Sequence, residues 1–231
     1  VVDAARRRAT SQVLLDVADA ALIDVDVMVP PEDVEHHLRR VLRAREGESI
    51  AVTDGAGRWR MTEVRLSGSS FTLEAVGDPV QDDSPRPFTL ATAMPKGDRL
   101  DWLVQKTVEL GVHRIVLLHA ERSTVRWKPE RVDKQLTRLQ RIADESTRQS
   151  RRVWRSVVEG PVAAGEILSS AAVAEPGETG HPRDEAMIAI GPEGGWTETE
   201  LAASPRRIGL GDAVLRVETA AVAATTLRLI P

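Results

Sequence analysis

The sequence predicts an α/β chain in two parts: a small, mostly β module, then a parallel sheet covered by helices. Three observations carry this. Up to residue 78 the apolar residues fall mainly in short strand-like runs, whereas from residue 88 such runs alternate with amphipathic helical stretches. The change falls at "PVQDDSPRP" (79–87), a polar segment with three prolines that reads as a linker. The 231 residues, 42% hydrophobic and 29% charged, leave room for one large domain or two modest ones. The expected domains are therefore 1–78 and 88–231.

In the first part, residues 11–17 (SQVLLDV) and 22–29 (LIDVDVMV) read as strands. Residues 31–44 begin with Pro and acids, and Val34, Leu38, Val41 and Leu42 recur at helical spacing. "ESIAVTDGAGRWRMTEVRL" reads as strand, Asp-Gly turn, strand, and "SSFTLEAVGD" as a third strand. After the linker, residues 88–94 form a strand. A helix follows with Leu100, Leu103, Val104, Thr107 and Val108 on one stripe and Gly111 as its stop; Trp102 lies beside that stripe. Residues 114–120 are the next strand. Residues 128–147 form a long helix with Pro129 near its first turn and a stripe of Val132, Leu136, Leu139 and Ala143. Strands are expected at 171–174, 186–190 and 207–210, and an Ala-rich helix at 218–229. Apolar strands alternating with helices imply a parallel sheet.

Composition excludes several classes. There is no cysteine, so there are no disulfides and no Cys-ligated zinc. The five histidines show no metal-binding spacing, and no run of about 18 apolar residues is present. The start has arginines without an apolar signal core, and it lacks Met, which leaves the natural start of the chain open. A cytoplasmic protein without membrane span or metal is expected. The net charge of −4 conceals two basic blocks. Residues 121–159 hold eleven Lys/Arg against six Asp/Glu, and residues 36–65 seven against four. Such blocks mark an anionic partner or solvated helix faces.

One stretch invites chemistry. "IGPEGGWTETE" (190–200) carries an apolar strand straight into three glycines, one proline and one carboxylate. It falls at the C-terminal end of a buried parallel strand, where open α/β sheets bind ligands. Glycines admit close backbone approach and positive φ. The loop is neither GxxxxGK[ST] nor GxGxxG. By itself it reads equally as a tight strand-to-helix turn.

It recurs in design at "LGDAVLRVETAAVAA" (210–224). Together with "KGD" (96–98), "QKTVELGV" (105–112), "ERS" (121–123), "QSRR" (149–152), and "HHLRRVLRAREGE" (36–48), these motifs closely resemble one family along nearly the whole chain. It is the RsmE family of SPOUT methyltransferases, which methylate N3 of a uridine in small-subunit ribosomal RNA with S-adenosylmethionine. The resemblance implies a PUA-like β-barrel domain, a SPOUT domain with a C-terminal trefoil knot, and a homodimer bound to ribosomal RNA or the small ribosomal subunit. Small residues Ala220, Ala221, Ala223 and Ala224 suit a close approach in such a dimer.

The resemblance also implies site residues. Gly191, Pro192, Glu193, Gly194 and Gly195, with Leu210, Gly211, Leu215 and Arg216, would hold the cofactor, and Glu175 would lie at the rim. Arg216, Glu218 and Glu193 are the catalytic candidates. A uracil N3 proton is acidic only well above neutral pH, so a carboxylate must accept it or cations must stabilise the anion. Arg39, Arg43, Arg122, Gln149 and Arg152 are the expected RNA contacts. Trp59 and Trp154, set among arginines, suit either base stacking or packing. Arg148 and Ser156 depart from the family pattern in the substrate-facing segment. Action on another RNA base, or a non-catalytic RNA-binding role in assembly, stays open.

Overall fold

The structure, a computed structural model, describes residues 3–230, so residues 1, 2 and 231 of the expected domains lie outside the described residues. Contacts divide the chain into two units. The first runs to Pro85 and takes in Thr147–Arg155; the second comprises Arg86–Ser146 and the chain from Ser156 onward.

Unit 1 is a five-stranded sheet. Its strands are β1 (Ser11–Leu14), β2 (Val27–Met28), β3 (Ser49–Thr53), β4 (Arg58–Ser67) and β5 (Ser70–Gln81), in the order β1-β3-β4-β5-β2. β1 lies parallel to β3, and the other pairs are antiparallel. Period-two alternation sends Val13, Ile50, Val52, Val64, Phe71 and Leu73 into one core. The Asp-Gly turn closes because the Asp54 carboxylate accepts from the Ala56 and Arg58 amides, at 2.7 and 3.1 Å, and Gly55 takes φ 73°. β5 continues through Pro79, Val80 and Gln81, where the sequence reads as linker.

Two expected elements differ. Residues 17–24 are a 3₁₀ segment, and only Val27–Met28 of the expected strand pairs with the sheet. The expected helix at 31–44 is α2 (Glu32–His36) running into a π turn at His37–Val41. A π turn adds a residue, so side chains beyond it slip off the α-helical stripe. Leu38 remains buried, but Val41 is 61% exposed and Leu42 is exposed too.

Unit 1 spends several of its basic and aromatic residues on packing. Trp59 is buried; its indole N–H donates to Asp82 at 2.7 Å and the Arg6 guanidinium lies 4.8 Å from its ring. It is a packing residue, not an exposed stacking platform. Thr147–Arg155 docks through its backbone: Arg152 O accepts from Gln12 Nε2 at 2.6 Å, and Arg155 N donates to Gly55 O at 2.8 Å. Gly57, at φ 97°, leaves the space that the Trp154 ring fills, since a Cβ there would stand 2.3 Å from it.

Unit 2 is a six-stranded, wholly parallel sheet. β6 (Thr89–Ala93), β7 (Arg114–His119), β8 (Val157–Ala163), β9 (Ala172–Ala174), β10 (Met187–Ile190) and β11 (Arg206–Ile208) stand in the order β11-β9-β10-β6-β7-β8. The unforeseen strand is β8. Its Gly160-Pro161 breaks the strand pattern, and an edge position is where a sheet tolerates proline. Both faces are covered, as a parallel sheet requires. Leu90, Ile115, Leu117, Ile188 and Ile208 face one core, which includes helices α3 (Arg99–Leu110) and α6 (Val217–Leu229) and residues of α4 (Pro129–Gln149). Ala91, Val116, Leu118, Val173 and Ala189 face the other, which includes Trp196, with Leu201 of α5 (Glu198–Ala203) packed against it.

All five residues of the α3 stripe are buried, and Gly111 ends the helix at φ 112°. Trp102, in contrast, is 44% exposed. Ala220, Ala221 and Ala224 of α6 lie in the core of unit 2, so their small size serves packing within it. Among the described residues no helix is long and apolar enough to cross a membrane.

Burial rather than side-chain size should therefore set the cost of truncation on α3. Leu103→Ala is expected to lose about 2–5 kcal/mol, and Trp102→Ala less than half of that. Urea denaturation of the two variants checks the order.

Candidate functional site

The carboxyl ends of β9, β10 and β11 converge on one cleft of unit 2. Its walls are Ala174, Glu175 and Pro176 after β9, Ile190–Glu193 with Gly195 and Trp196 after β10, and Leu210, Gly211, Ala213, Val214, Leu215, Val217 and Ala220 before and within α6. The space, counted to its open mouth, is about 700 Å³.

The glycine loop is built around a tryptophan. Trp196 is buried in the core beneath, and its ring crosses Gly191 so closely that a Cβ on Gly191 would stand 2.8 Å from it. The loop then turns: Gly195 N donates to Pro192 O at 2.8 Å with Gly195 at φ 71°. Arg122, in the loop after β7, fastens it from outside by donating to Gly194 O at 3.2 Å and Trp196 O at 3.1 Å. Gly194 admits that arginine, since a Cβ there would lie 3.1 Å from the Arg122 Cβ. Beyond the loop, the buried Glu200 carboxylate accepts from the amides of Thr197 and Glu121, each at 2.9 Å. It thereby caps α5 and ties it to the loop after β7.

The second loop differs. Gly211 sits at φ 115° with nothing within 4 Å of an added Cβ, so backbone conformation rather than crowding demands glycine there. Leu210, Ala213, Val214 and Leu215 give that wall an apolar surface. Arg216 is the N-cap residue of α6 and is exposed beside this wall, with no side-chain partner among the described residues.

Charges gather at one side. Arg99, the first residue of α3, lies 3.6 Å from Glu193 through one guanidinium nitrogen and 3.6 Å from Glu218 through the other. The ion pair that Glu218 makes is with Arg99, not with its chain neighbour Arg216. One Glu218 oxygen, Oε2, is buried without a hydrogen-bond partner, as is Trp196 Nε1. Burial pushes the Glu175 carboxyl up, an effect that Glu178 reinforces and Arg207 opposes.

The cleft thus gathers Gly191, Pro192, Glu193, Gly195, Leu210, Gly211, Leu215 and Glu175, while Gly194 packs outward on Arg122. The remaining candidates lie elsewhere. In unit 1, Arg39 pairs with Glu35 at 2.7 Å and lies 5.0 Å from the Phe71 ring. Arg43 is exposed in a left-handed conformation, φ 53°, and Gln149 is exposed. Burial pulls the Arg152 guanidinium down to about 10. Among the described residues no group of three or more His, Asp or Glu could hold a metal ion.

Sequence reasoning missed Arg99, Trp196 and Glu200. Arg99 stands against the helix dipole at an N-terminus, where acids are the rule, and that misplacement is a readable signal of a side-chain task. Thr197-x-x-Glu200 is a legible capping box.

Comparison with known proteins places these features in a family. Residues 82–228 match a family described as an RNA methyltransferase domain, and residues 31–75 match an RNA methyltransferase PUA domain. A Synechocystis sp. protein named ribosomal RNA small subunit methyltransferase E is 31% identical, over 89% of this chain and 73% of its own length. A Mycobacterium bovis protein of the same name is 30% identical, over 86% and 84%. A solved structure of ribosomal RNA small subunit methyltransferase E from Neisseria gonorrhoeae, bound to S-adenosyl methionine, superposes with a TM-score of 0.74. It is 29% identical and covers 87% of this chain and 90% of that one.

The Glu200 bridge should carry measurable stability. Glu200→Ala leaves buried amide donors unmet and is expected to cost about 1–3 kcal/mol. Urea denaturation gives the loss, and faster hydrogen exchange at the Glu121 and Thr197 amides localises it.

Proposed function

The chain belongs to the RNA methyltransferase family, and on that premise we propose that it methylates N3 of a uridine in small-subunit ribosomal RNA with S-adenosylmethionine. The observation that carries the reading is the cleft bounded by two glycine loops at the carboxyl ends of parallel strands. A relative that shares most of this chain is known bound to S-adenosyl methionine.

The residues present fit that cofactor. Leu210, Val214 and Leu215 offer an apolar wall for a flat heterocycle. The small residues Gly191, Gly195 and Gly211 bring backbone polar groups to the surface of the cleft. When bound, S-adenosylmethionine supplies a methyl group carried on a positively charged sulfur. The chain itself has to admit the base, take its proton and exclude water. N3 lies on the Watson–Crick edge, so the uridine must be unpaired or flipped out. Glu193 and Glu218 are the acid–base candidates. Arg216, next in sequence to the wall residues Leu215 and Val217 and without a side-chain partner among the described residues, is the cation we assign to an anion developing on the uracil ring.

Capture of the RNA falls to Arg43, Gln149 and Arg152 of unit 1 and to Arg122 of unit 2, while Arg39, also expected there, is held by Glu35. Of these, Arg43 and Gln149 are exposed. Arg122 already holds the glycine loop, so a substrate contact by it would couple RNA to the cofactor wall. We assign the β module expected at 1–78 as the RNA-binding domain and the part expected at 88–231 as the methyltransferase domain, with residues 79–81 of the expected linker taken up by β5 and Thr147–Arg155 grouped with the first unit. The knotted SPOUT topology, homodimeric assembly and cytoplasmic location belong to the same reading. The strand order supports the knot: β9 stands between β10 and β11, so the chain crosses β9 to place β11.

Incubating the protein and S-adenosylmethionine with small ribosomal subunits that lack the mark, then mapping modified nucleosides by mass spectrometry, tests the reading. 3-Methyluridine is the expected product; a methyl on ribose or on another base overturns it. Gly211→Val forces a β-branched residue into a positive φ. It should lower S-adenosylmethionine affinity at least tenfold by calorimetry. Arg216→Ala should cut kcat by about 10²–10³ while cofactor affinity stays within about twofold.

A further inference from the structure

Cations of the second basic block share one stripe of α4. Arg131, Lys134, Arg138 and Arg141 recur at spacings of three and four residues, which puts them on one side of the helix, and all are exposed. The core stripe of Leu136, Leu139 and Ala143 faces another way. From Arg131 to Arg141 the stripe runs about 15 Å at 1.5 Å per residue. Arg138 is already neutralised: it pairs with Asp101 of α3, and its Nε donates to Gln135 at 3.1 Å. Arg131, Lys134 and Arg141 make no ion pair among the described residues, not even Lys134 with Glu130 one turn before it.

The stripe borders a groove between α3 and α4. Asp101, Trp102 and Gln105 line it from α3, Arg138, Arg141 and Ile142 from α4, and the acids Asp98 and Glu145 lie along it too. Trp102 is 44% exposed here, and the exposed Gln105 stands three residues further along the same side of α3. An open indole, an amide that both donates and accepts, and unneutralised cations together suit an unpaired nucleotide. The groove also starts close to the cleft. Trp102 lies three residues, about 4.5 Å of helix, beyond Arg99, whose guanidinium is 3.6 Å from the cleft residue Glu193. A second copy of the chain is the rival occupant. A two-fold contact there would set the basic stripe against its own copy, so charge favours the polyanion.

We infer that the α3–α4 groove holds single-stranded RNA beside the target nucleotide: a base stacks on Trp102, Gln105 bonds its edge, and Arg131, Lys134 and Arg141 take phosphates. This rests on RNA being the substrate, not on which base is methylated. A stripe of about 15 Å spans roughly four phosphates at about 3.4 Å each, more than enough for three cations.

Fluorescence anisotropy of a labelled single-stranded oligouridylate, titrated with the full chain across a range of salt, tests this. Trp102→Ala should weaken binding about fivefold or more, near the lower end of the worth of a base–aromatic stack. Trp102→Phe keeps a ring and should retain most of the affinity. Lys134→Gln combined with Arg141→Gln should lower the slope of log affinity against log salt by about 1.4, from two contacts at about 0.7 each. S-adenosylmethionine affinity, measured by calorimetry, should be unchanged in every variant. Wild-type affinity in Trp102→Ala, or an unchanged slope in the double variant, overturns the proposal, as does a wild-type chain that does not bind the oligouridylate. Tighter binding of a duplex of the same length overturns it as well, since a paired base cannot reach the ring. A fall in oligomeric state of either variant by analytical ultracentrifugation gives the groove to a second copy instead. Mapping of the wild-type product reports separately on the uridine-N3 reading: another methylated base fails that reading and leaves these binding outcomes as they are. Thermal denaturation shows that each variant is folded, and the charge variant keeps the test valid if Trp102→Ala is not.

Discussion

Trp196 crossing Gly191 is the contact on which the cleft depends. The indole belongs to the core beneath the sheet, with Ala91, Val116, Leu118 and Ala189, yet it emerges from the loop above it. A loop anchored in this way cannot drift, and its free length is only the four residues between the two contacting positions. Close packing of a large ring on bare backbone needs a residue without Cβ. The glycine is thus required by what lies under the loop as much as by any ligand over it. The consequences run outward. Fixing Gly191 and Trp196 fixes the turn at Pro192–Gly195, which presents Gly194 O and Trp196 O to Arg122. The capping box begins at the next residue and starts α5.

Three arginines around this loop show how position gives one side chain three uses. Arg122 donates to carbonyls, so it secures backbone. Arg99 faces carboxylates, so it sets the charge and placement of other side chains. Arg216 has neither kind of partner among the described residues. The side chain is the same guanidinium in all three settings. What differs is how much of its field is already neutralised by the protein.

Much of the second unit was legible because most of its elements follow a single period. The α3 stripe is buried residue for residue, and Gly111 stops the helix where its left-handed capacity says it should. The two glycine loops were legible as loops at strand ends, and they meet in one cleft. What sequence could not show was long-range pairing: Arg99 with Glu193 and Glu218, Arg122 with the loop carbonyls, Glu200 with Glu121. Unit 1 was harder to read. Alternation in "LIDVDVMV" is strand-like, but only two of its residues find a partner strand. The helix at 31–44 loses its stripe at a π turn, which no periodicity announces. In unit 2 the exception is β8, hidden by a proline that an edge strand can carry.

The same distinction between a residue's type and its use governs the basic blocks. Seven arginines at 36–65 suggest a broad cationic surface. The structure commits four of them elsewhere: Arg39 to Glu35, Arg58 to Asp24, Arg60 to Asp26, and Arg65 to Glu63 and Glu74. Arg40, Arg43 and Arg45 are left exposed, with no ion pair among the described residues. They flank Val41 and Leu42, which the π turn has put on the surface. The charge free to meet a phosphate backbone is therefore gathered at one short segment and mixed with apolar side chains. A counted charge attracts an anion only to the extent that no carboxylate has already taken it. For unit 1, that argument moves the centre of any RNA contact from the strands to the turn that ends α2.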